Sequence, residues 1–136
     1  MFAVGIDIQD IEPFRKRPYE EKKNFHERLF TAGEIEYCLS KADPAAHFAA
    51  RFAAKEAVMK ALGPRRISPR EIEVRNSSGG KPELTIHKKG ALPPGHEIRI
   101  SISHSGSQAA AVALVHPAEK QGTGYRVQGK EKSSSE

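Results

Sequence analysis

The first residues of the chain alternate between apolar side chains and small or polar ones. The apolar positions are Phe2, Val4, Ile6 and Ile8, and the alternate positions are Ala3, Gly5, Asp7 and Gln9. A period of two with β-branched side chains predicts a β-strand. Asp7 is charged and follows a run suited to a core strand, so it needs either a solvated face or a partner.

Two later segments carry the signals that begin and end helices. Thr31 and Glu34 have the spacing of a capping box, which predicts a helix over residues 32–40. A longer helix is expected to start at Pro44, as its first helical residue, and to stop at Gly63. The stretch between them is rich in alanine, the strongest helix former.

The second half of the chain has the pattern of short strands joined by turns. These strands are expected at residues 72–75, 83–87, 96–105 and 108–115. One strand, then helices, then several strands indicate an α+β fold, with a largely antiparallel sheet packed against one long central helix. We expect residues 1–116 to form one domain and 117–136 a disordered tail. Residues 14–28 are dense in charge and predict a broken, exposed helix or a loop.

Composition and charge narrow the class of protein. The chain has 136 residues, with 22 lysines and arginines against 17 aspartates and glutamates, a formal charge of +5. A single cysteine, Cys38, excludes a disulfide framework and a cysteine zinc site within one chain. The longest segment without a charged residue, 100–118, is too polar for a membrane span. Because Asp7 comes too early for a signal peptide, we expect a cytoplasmic protein.

Glu56 lies at an unusual position on the predicted long helix. On a helical wheel it stands about 40° from Phe52, at the edge of the apolar stripe expected to face the core. It either pairs with Lys60, one turn later, on a half-exposed flank, or lies beside Asp7. Two adjacent carboxylates repel unless a cation lies between them. Two hard oxygen ligands with open positions are typical of Mg²⁺ bound together with a phosphate.

His104 ends the apolar row of a predicted strand, either as a half-buried structural histidine or as part of a site. Nearby in the sequence, five lysines and arginines in residues 47–66 surround a single acidic residue, Glu56. Cations around a carboxylate pair fit an anionic, phosphorylated substrate. Nucleic-acid binding would require more cations and exposed aromatic side chains, so a nucleic-acid-binding domain is only a distant alternative.

The same residues lie in segments that resemble the holo-acyl-carrier-protein synthases. The segments are GIDI near the start, FTAGEIEYC at 30–38, RFAAKEAVMKALG at 51–63, GGKP at 79–82 and SISHS at 101–105. The resemblance implies the 4′-phosphopantetheinyl transferase fold. It also implies transfer of phosphopantetheine from coenzyme A to a serine of apo-acyl carrier protein, with release of 3′,5′-ADP. Because members of this type are typically homotrimers, the resemblance further implies a homotrimer with active sites at subunit interfaces.

The resemblance assigns expected roles to individual residues. Asp7 and Glu56 match the Mg²⁺ ligands of the family, and we expect Glu56 to act as the base. Lys60 and His104 match residues on the phosphate side. The further contacts to coenzyme A are expected from Arg51, Lys55, Lys81 and Pro82.

One position departs from the family pattern. Members usually carry an arginine six residues after the motif aspartate, where it engages the carrier protein, and this chain has Pro13 there. Arg15 and Arg17 are the candidates to replace it. Two alternatives remain close to this function. One is a transferase that serves a polyketide or peptide synthase carrier domain, and the other is a non-catalytic module that binds coenzyme A or carrier protein.

Overall fold

A three-stranded antiparallel sheet packed against one long helix forms the centre of the computed structural model, which describes residues 1–63 and 67–119. The elements are β1 (Ala3–Asp10), α1 (Glu12–Arg15), α2 (Lys23–Leu29), α3 (Ala32–Leu39), α4 (Pro44–Leu62), a 3₁₀ turn (Pro69–Glu71), β2 (Ile72–Asn76), β3 (Pro82–Ile86), β4 (His96–His104) and β5 (Gln108–Pro117). The sheet has the order β1-β5-β4, and β2 pairs with β3 in a separate antiparallel hairpin. The α+β expectation is confirmed.

The predicted tail begins at the last residue of β5, and all of it after residue 119 lies outside the described part of the chain. The prediction that it is disordered is therefore untested. Within the described residues, none of the helices is long and apolar enough to span a membrane.

The helix boundaries follow the signals in the sequence. The Glu34 amide donates to Thr31 Oγ1 at 3.2 Å, and the Thr31 amide donates to Glu34 Oε1 at 2.8 Å, which completes the capping box of α3. Helix α4 begins at Pro44 and ends before Gly63, whose φ of 80° is accessible to glycine at little cost. These local rules alone place both helices.

The charge-dense segment 14–28 is more buried than its composition predicts. Phe14 and His26 are both buried, in a cluster that also contains Phe30 and Phe48. The His26 ring lies 4.6 Å from the Phe48 ring, centroid to centroid. The segment therefore covers one end of the core with its few aromatic side chains, while its charged residues face the solvent.

Helix α4 is buried on most of its circumference, so no single apolar stripe marks its core side. Its contact with the sheet and the hairpin is made mainly by small side chains, namely Ala53, Ala54, Ala57, Val58 and Ala61. Phe52, which the helical wheel placed on the core side, is only half-buried, and with the half-buried Met59 it shares the more open side with Glu56. Small side chains let the backbones of the helix and the strands approach closely.

Gly5 marks the closest approach between β1 and α4. A Cβ atom at this position would collide with the Ala57 carbonyl oxygen and lie 2.8 Å from the Ala61 amide nitrogen. Because successive residues of a strand point to opposite faces, Gly5 and Asp7 both point toward α4. The apolar row points away from it, and Phe2 and Ile6 expose 74% and 68% of their surface.

Candidate active site

Asp7 and Lys60 join β1 to the last turn of α4. Lys60 Nζ donates to Asp7 Oδ1 at 3.1 Å and to the Ile6 carbonyl oxygen at 3.0 Å. The Asp7 side chain is only 10% exposed, whereas the Lys60 side chain is 55% exposed. The i,i+4 pair between Glu56 and Lys60, one of the two sequence-based alternatives, does not form. Lys60 crosses to the strand instead.

Glu56 is half-buried on the same open side of α4, where its charge interacts with that of Asp7. Burial raises the pKa of the Glu56 carboxyl, and the negative charge of Asp7 raises it further, while Lys60 partly opposes both. A carboxylate with a raised pKa accepts a proton more readily than an ordinary glutamate. The site therefore contains an electrostatically strained pair of carboxylates and a nearby ammonium group.

The carboxylate pair suits a small, hard divalent cation. Asp7 and Glu56 offer oxygen ligands, and the repulsion between them is relieved by a positive ion. In the part of the chain that the structure describes, no group of three or more histidine, cysteine and acidic side chains forms a complete metal cage. Two protein carboxylates with other positions left to water and phosphate oxygens are typical of Mg²⁺ sites.

His104 belongs to a second cluster, made of cations and aromatic rings. The His104 and His47 rings are 5.9 Å apart, and the His47 ring lies 5.9 Å from that of Tyr37. The cationic groups of Arg51 and Lys41 lie 4.1 and 4.6 Å from the centre of the Tyr37 ring. Burial lowers the pKa of His47, and the nearby charges of Arg51, His104 and Lys41 lower it further. An anion bound here would offset this excess of positive charge.

Sequence reasoning missed Tyr37, Lys41 and His47 as candidate site residues. Their spacing carried a signal, because Tyr37 and Lys41 are four residues apart, as are His47 and Arg51. Such pairs share one side of a helix. What the spacing did not reveal is that the first pair, around the end of α3, lies against the second on α4. Only the packing of the two helices brings them together.

Lys55 is the expected site residue whose position argues against its predicted role. Its side chain is fully buried, and Nζ donates to Glu34 Oε1 at 2.7 Å, the Pro69 carbonyl oxygen at 2.8 Å and the Ile72 carbonyl oxygen at 2.6 Å. All three N–H groups of the ammonium are therefore used inside the protein. Lys55 ties α4 to α3 and β2 and is not free to contact a nucleotide.

Three other expected contacts to coenzyme A lie apart from the carboxylate pair. Lys81 and Pro82 line a cleft of about 560 Å³ beside Arg75 and Arg99, between β3 and β4. Arg51 is buried, and its Nη2 donates to Asn76 Oδ1 at 2.6 Å. One chain thus brings together Asp7, Glu56 and Lys60. The other expected residues lie in three further places: Arg51 and His104 in the cationic cluster, Lys81 and Pro82 in the cleft, and Lys55 in the interior.

Comparisons with known proteins identify the family. A sequence model described as the 4′-phosphopantetheinyl transferase superfamily matches residues 3–115. A holo-[acyl-carrier-protein] synthase of Chlorobaculum parvum is 44% identical over 117 residues, which cover 84% of this chain and 97% of the relative.

Two solved structures resemble this fold. The Helicobacter pylori holo-[acyl-carrier-protein] synthase in complex with coenzyme A is 31% identical with a TM-score of 0.72, and the match covers 83% of this chain and 99% of that one. The Bacillus anthracis synthase in complex with coenzyme A (3′,5′-ADP) is 32% identical with a TM-score of 0.70, covering 85% and 96%. The chain therefore belongs to the 4′-phosphopantetheinyl transferase superfamily, and within it to the holo-[acyl-carrier-protein] synthases.

The raised pKa of Glu56 predicts that this residue lowers stability when no metal is bound. A carboxyl whose pKa is raised by folding stabilises the protein only while protonated, and this contribution is lost as pH rises through the folded pKa. Glu56→Gln should therefore raise the melting temperature of the metal-free protein at pH 7, with a smaller difference in acid. Wild-type protein should gain about 2.7 kcal/mol at a Mg²⁺ concentration of 100 times Kd, and the variant should gain far less.

The control is Glu83→Gln, which removes the same charge from an exposed position on β3. It should leave both the metal-free melting temperature and the Mg²⁺ response unchanged. A metal-free Glu56→Gln protein that melts below the wild type would contradict the electrostatic account of this site.

Proposed function

We propose that this protein transfers 4′-phosphopantetheine from coenzyme A to a serine of apo-acyl carrier protein, with Mg²⁺, releasing 3′,5′-ADP. The observation that carries the proposal is the carboxylate pair of Asp7 and Glu56 with Lys60 beside it. The names of the relatives and the coenzyme A in the two solved structures support the same reaction.

The side chains at this site have to accept the serine proton, stabilise the charge on the phosphate and hold the metal. The serine hydroxyl attacks the β-phosphorus of coenzyme A, and its proton passes to Glu56 as the general base. The bond from the β-phosphorus to the bridging oxygen breaks, and the electron pair leaves with 3′,5′-ADP. Lys60 uses two of its three N–H groups on Asp7 and Ile6, so one is available for the negative charge that develops on a phosphate.

Asp7 and Glu56 would hold Mg²⁺, which supplies polarisation of the pyrophosphate when bound. The position of Lys60 agrees with this arrangement. Its ammonium pairs with Asp7 and not with Glu56, so the Glu56 carboxylate is available to the metal. His104, with Arg51, His47 and Lys41, offers a positively charged site for the remaining phosphate groups of coenzyme A. Lys81 and Pro82 remain candidate contacts to its nucleotide end.

The direct test measures the mass of an apo-acyl carrier protein after incubation with this protein, Mg²⁺ and coenzyme A. We expect a gain of one phosphopantetheine on the acceptor serine, and no gain when Mg²⁺ is chelated. A panel of apo-carriers should include polyketide and peptide synthase carrier domains, since the geometry alone does not favour one class of carrier. Binding of coenzyme A without modification of any carrier would instead support the non-catalytic alternative.

We propose further that the active unit is a homotrimer whose sites are shared between subunits. His47 and Glu56 are nine residues apart on α4, so they lie about 14 Å apart along the helix and about 180° around it. One coenzyme A molecule reaches both kinds of site more easily where two subunits meet. The outward face of the sheet, with Val4, Ile6 and Leu114 exposed, offers the apolar surface that such an assembly requires.

Ile6→Glu tests the assembly because it places a charge in the middle of this exposed apolar face. Sedimentation should give three copies for the wild type and one for the variant, since burying an unpaired carboxylate costs several kcal/mol. Loss of the trimer should lower the transfer activity of the variant by at least about tenfold. Asn24→Glu, an exposed position on α2, is the control and should stay trimeric. A monomeric wild type with full activity would contradict the shared site.

Arg17 is the better of the two candidates to replace the family arginine at Pro13. Arg15 donates from both terminal nitrogens to Asp43, at 2.8 and 3.0 Å, and these hydrogen bonds hold the pKa of Asp43 below its usual value. Arg17 instead reaches back one turn and donates to the Pro13 carbonyl oxygen at 3.4 Å. Its exposed guanidinium therefore lies beside Pro13 and also contacts the face of the Phe25 ring, 5.6 Å from the ring centre, rather than a carboxylate.

Arg17→Ala should raise the KM for an acidic carrier protein about 10–150-fold, because a charge-assisted contact of about 1.5–3 kcal/mol is lost. The KM for coenzyme A should stay the same. Arg15→Ala is the matched control and should lower the melting temperature with a smaller effect on the KM for the carrier. Docking through Arg15 would give the opposite order of the two KM values.

A further inference from the structure

Gln9 is a polar side chain of β1 that the reaction as described leaves without a role. It lies two residues after Asp7, so both side chains point to the same face of the strand, toward α4. In the sheet it stands opposite the fully buried Ala109, and it is itself half-buried. A long amide side chain in this setting requires a hydrogen-bond partner.

The partner of Gln9 is the carboxylate of Asp7. Gln9 Nε2 donates to Asp7 Oδ2 at 2.7 Å, whereas Lys60 Nζ donates to Asp7 Oδ1 at 3.1 Å. Each oxygen of Asp7 is thus held by a different donor, from the strand on one side and from the helix on the other. Two such contacts fix the rotation of the carboxylate about its Cβ–Cγ bond.

The two donors differ in charge, and this difference matters for a cation. Lys60 brings a positive charge that opposes metal binding at the oxygen it contacts. The amide of Gln9 is neutral, so it orients Oδ2 without reducing the negative charge of the site. A carboxylate oxygen has two lone pairs, so Oδ2 can accept from Gln9 and still present one lone pair to a metal ion.

We propose that Gln9 is a positioning residue that holds Asp7 Oδ2 in the orientation used to bind Mg²⁺. The inference rests on the proposed function only in taking Asp7 as a metal ligand. Partners that orient a metal ligand typically change metal affinity by about 10–100-fold when they are removed. In this role Gln9 acts through Asp7, so its loss changes the affinity for the metal more than the rate of the loaded enzyme.

The test compares Gln9→Met with the wild type, because methionine keeps the length of the side chain and lacks the N–H donor. Mg²⁺ is titrated calorimetrically into the protein saturated with coenzyme A, in the absence of carrier protein. We expect the Kd for Mg²⁺ to rise about 10–100-fold. In steady-state transfer the Mg²⁺ concentration for half-maximal rate should rise by the same factor, with kcat at saturating Mg²⁺ within about threefold of the wild type.

Gln108→Met is the matched control on the neighbouring strand. Gln108 Nε2 donates to Asp10 Oδ1 at 3.2 Å, so the same substitution removes an amide-to-carboxylate bond between β5 and β1 that does not involve Asp7. Its Kd for Mg²⁺ should equal that of the wild type. Equal losses in both variants would mean that the sheet was disturbed in general, and would overturn the proposal.

A second variant, Gln9→Leu, keeps the inference testable if Gln9→Met does not fold. Methionine and leucine both lack the donor but differ in shape. Where both variants fold, equal losses of Mg²⁺ affinity would assign the effect to the amide of Gln9. A wild-type Kd in either folded variant would overturn the role of Gln9. Failure of the metal site itself is seen separately, because then the wild type would bind no Mg²⁺ under the same conditions.

Discussion

The close contact between β1 and α4 is the constraint on which the site depends. Gly5 allows the strand to lie directly on the helix backbone at Ala57 and Ala61. Because Asp7 is one strand period further on and Glu56 is next to Ala57, the same contact sets the distance between their charges. The raised pKa of Glu56 is a consequence of this packing. The close packing of β1 on α4 therefore both stabilises this contact and causes the repulsion between the two carboxylates.

The other side of α4 is held by a buried ion pair. Lys55 and Glu34 are almost completely enclosed, and Glu34 also accepts a hydrogen bond of 2.7 Å from the Val74 amide. Breaking such a pair by removing one partner costs about 3–5 kcal/mol, because it leaves an unpaired charge in the interior. The pair fixes the rotation of the helix about its axis. Glu56, the next residue, is therefore directed toward the open side.

The separation of cationic and acidic groups gives the molecule two functional sides. The carboxylate pair lies on one side of α4, and His47 with its neighbouring cations and aromatic rings lies on the other. The modest net charge of +5 hides this division, because it sums groups that act in different places. In the proposed trimer, an anionic substrate that extends between two subunits meets both kinds of group.

The sequence by itself determined the helices, the α+β order and the family, because capping boxes, proline, glycine and short motifs act locally. It also singled out Asp7 and Glu56, whose charges conflict with the apolar pattern around them, and the family resemblance added Lys60. Only the tertiary structure decided that Lys55 is buried, that Lys60 contacts Asp7, and that the apolar row of β1 faces outward. Alternation along a strand defines two faces but does not state which one meets the helix. The face with Gly5 and Asp7 meets the helix because Gly5 and the alanines of α4 allow a close approach that larger side chains would prevent.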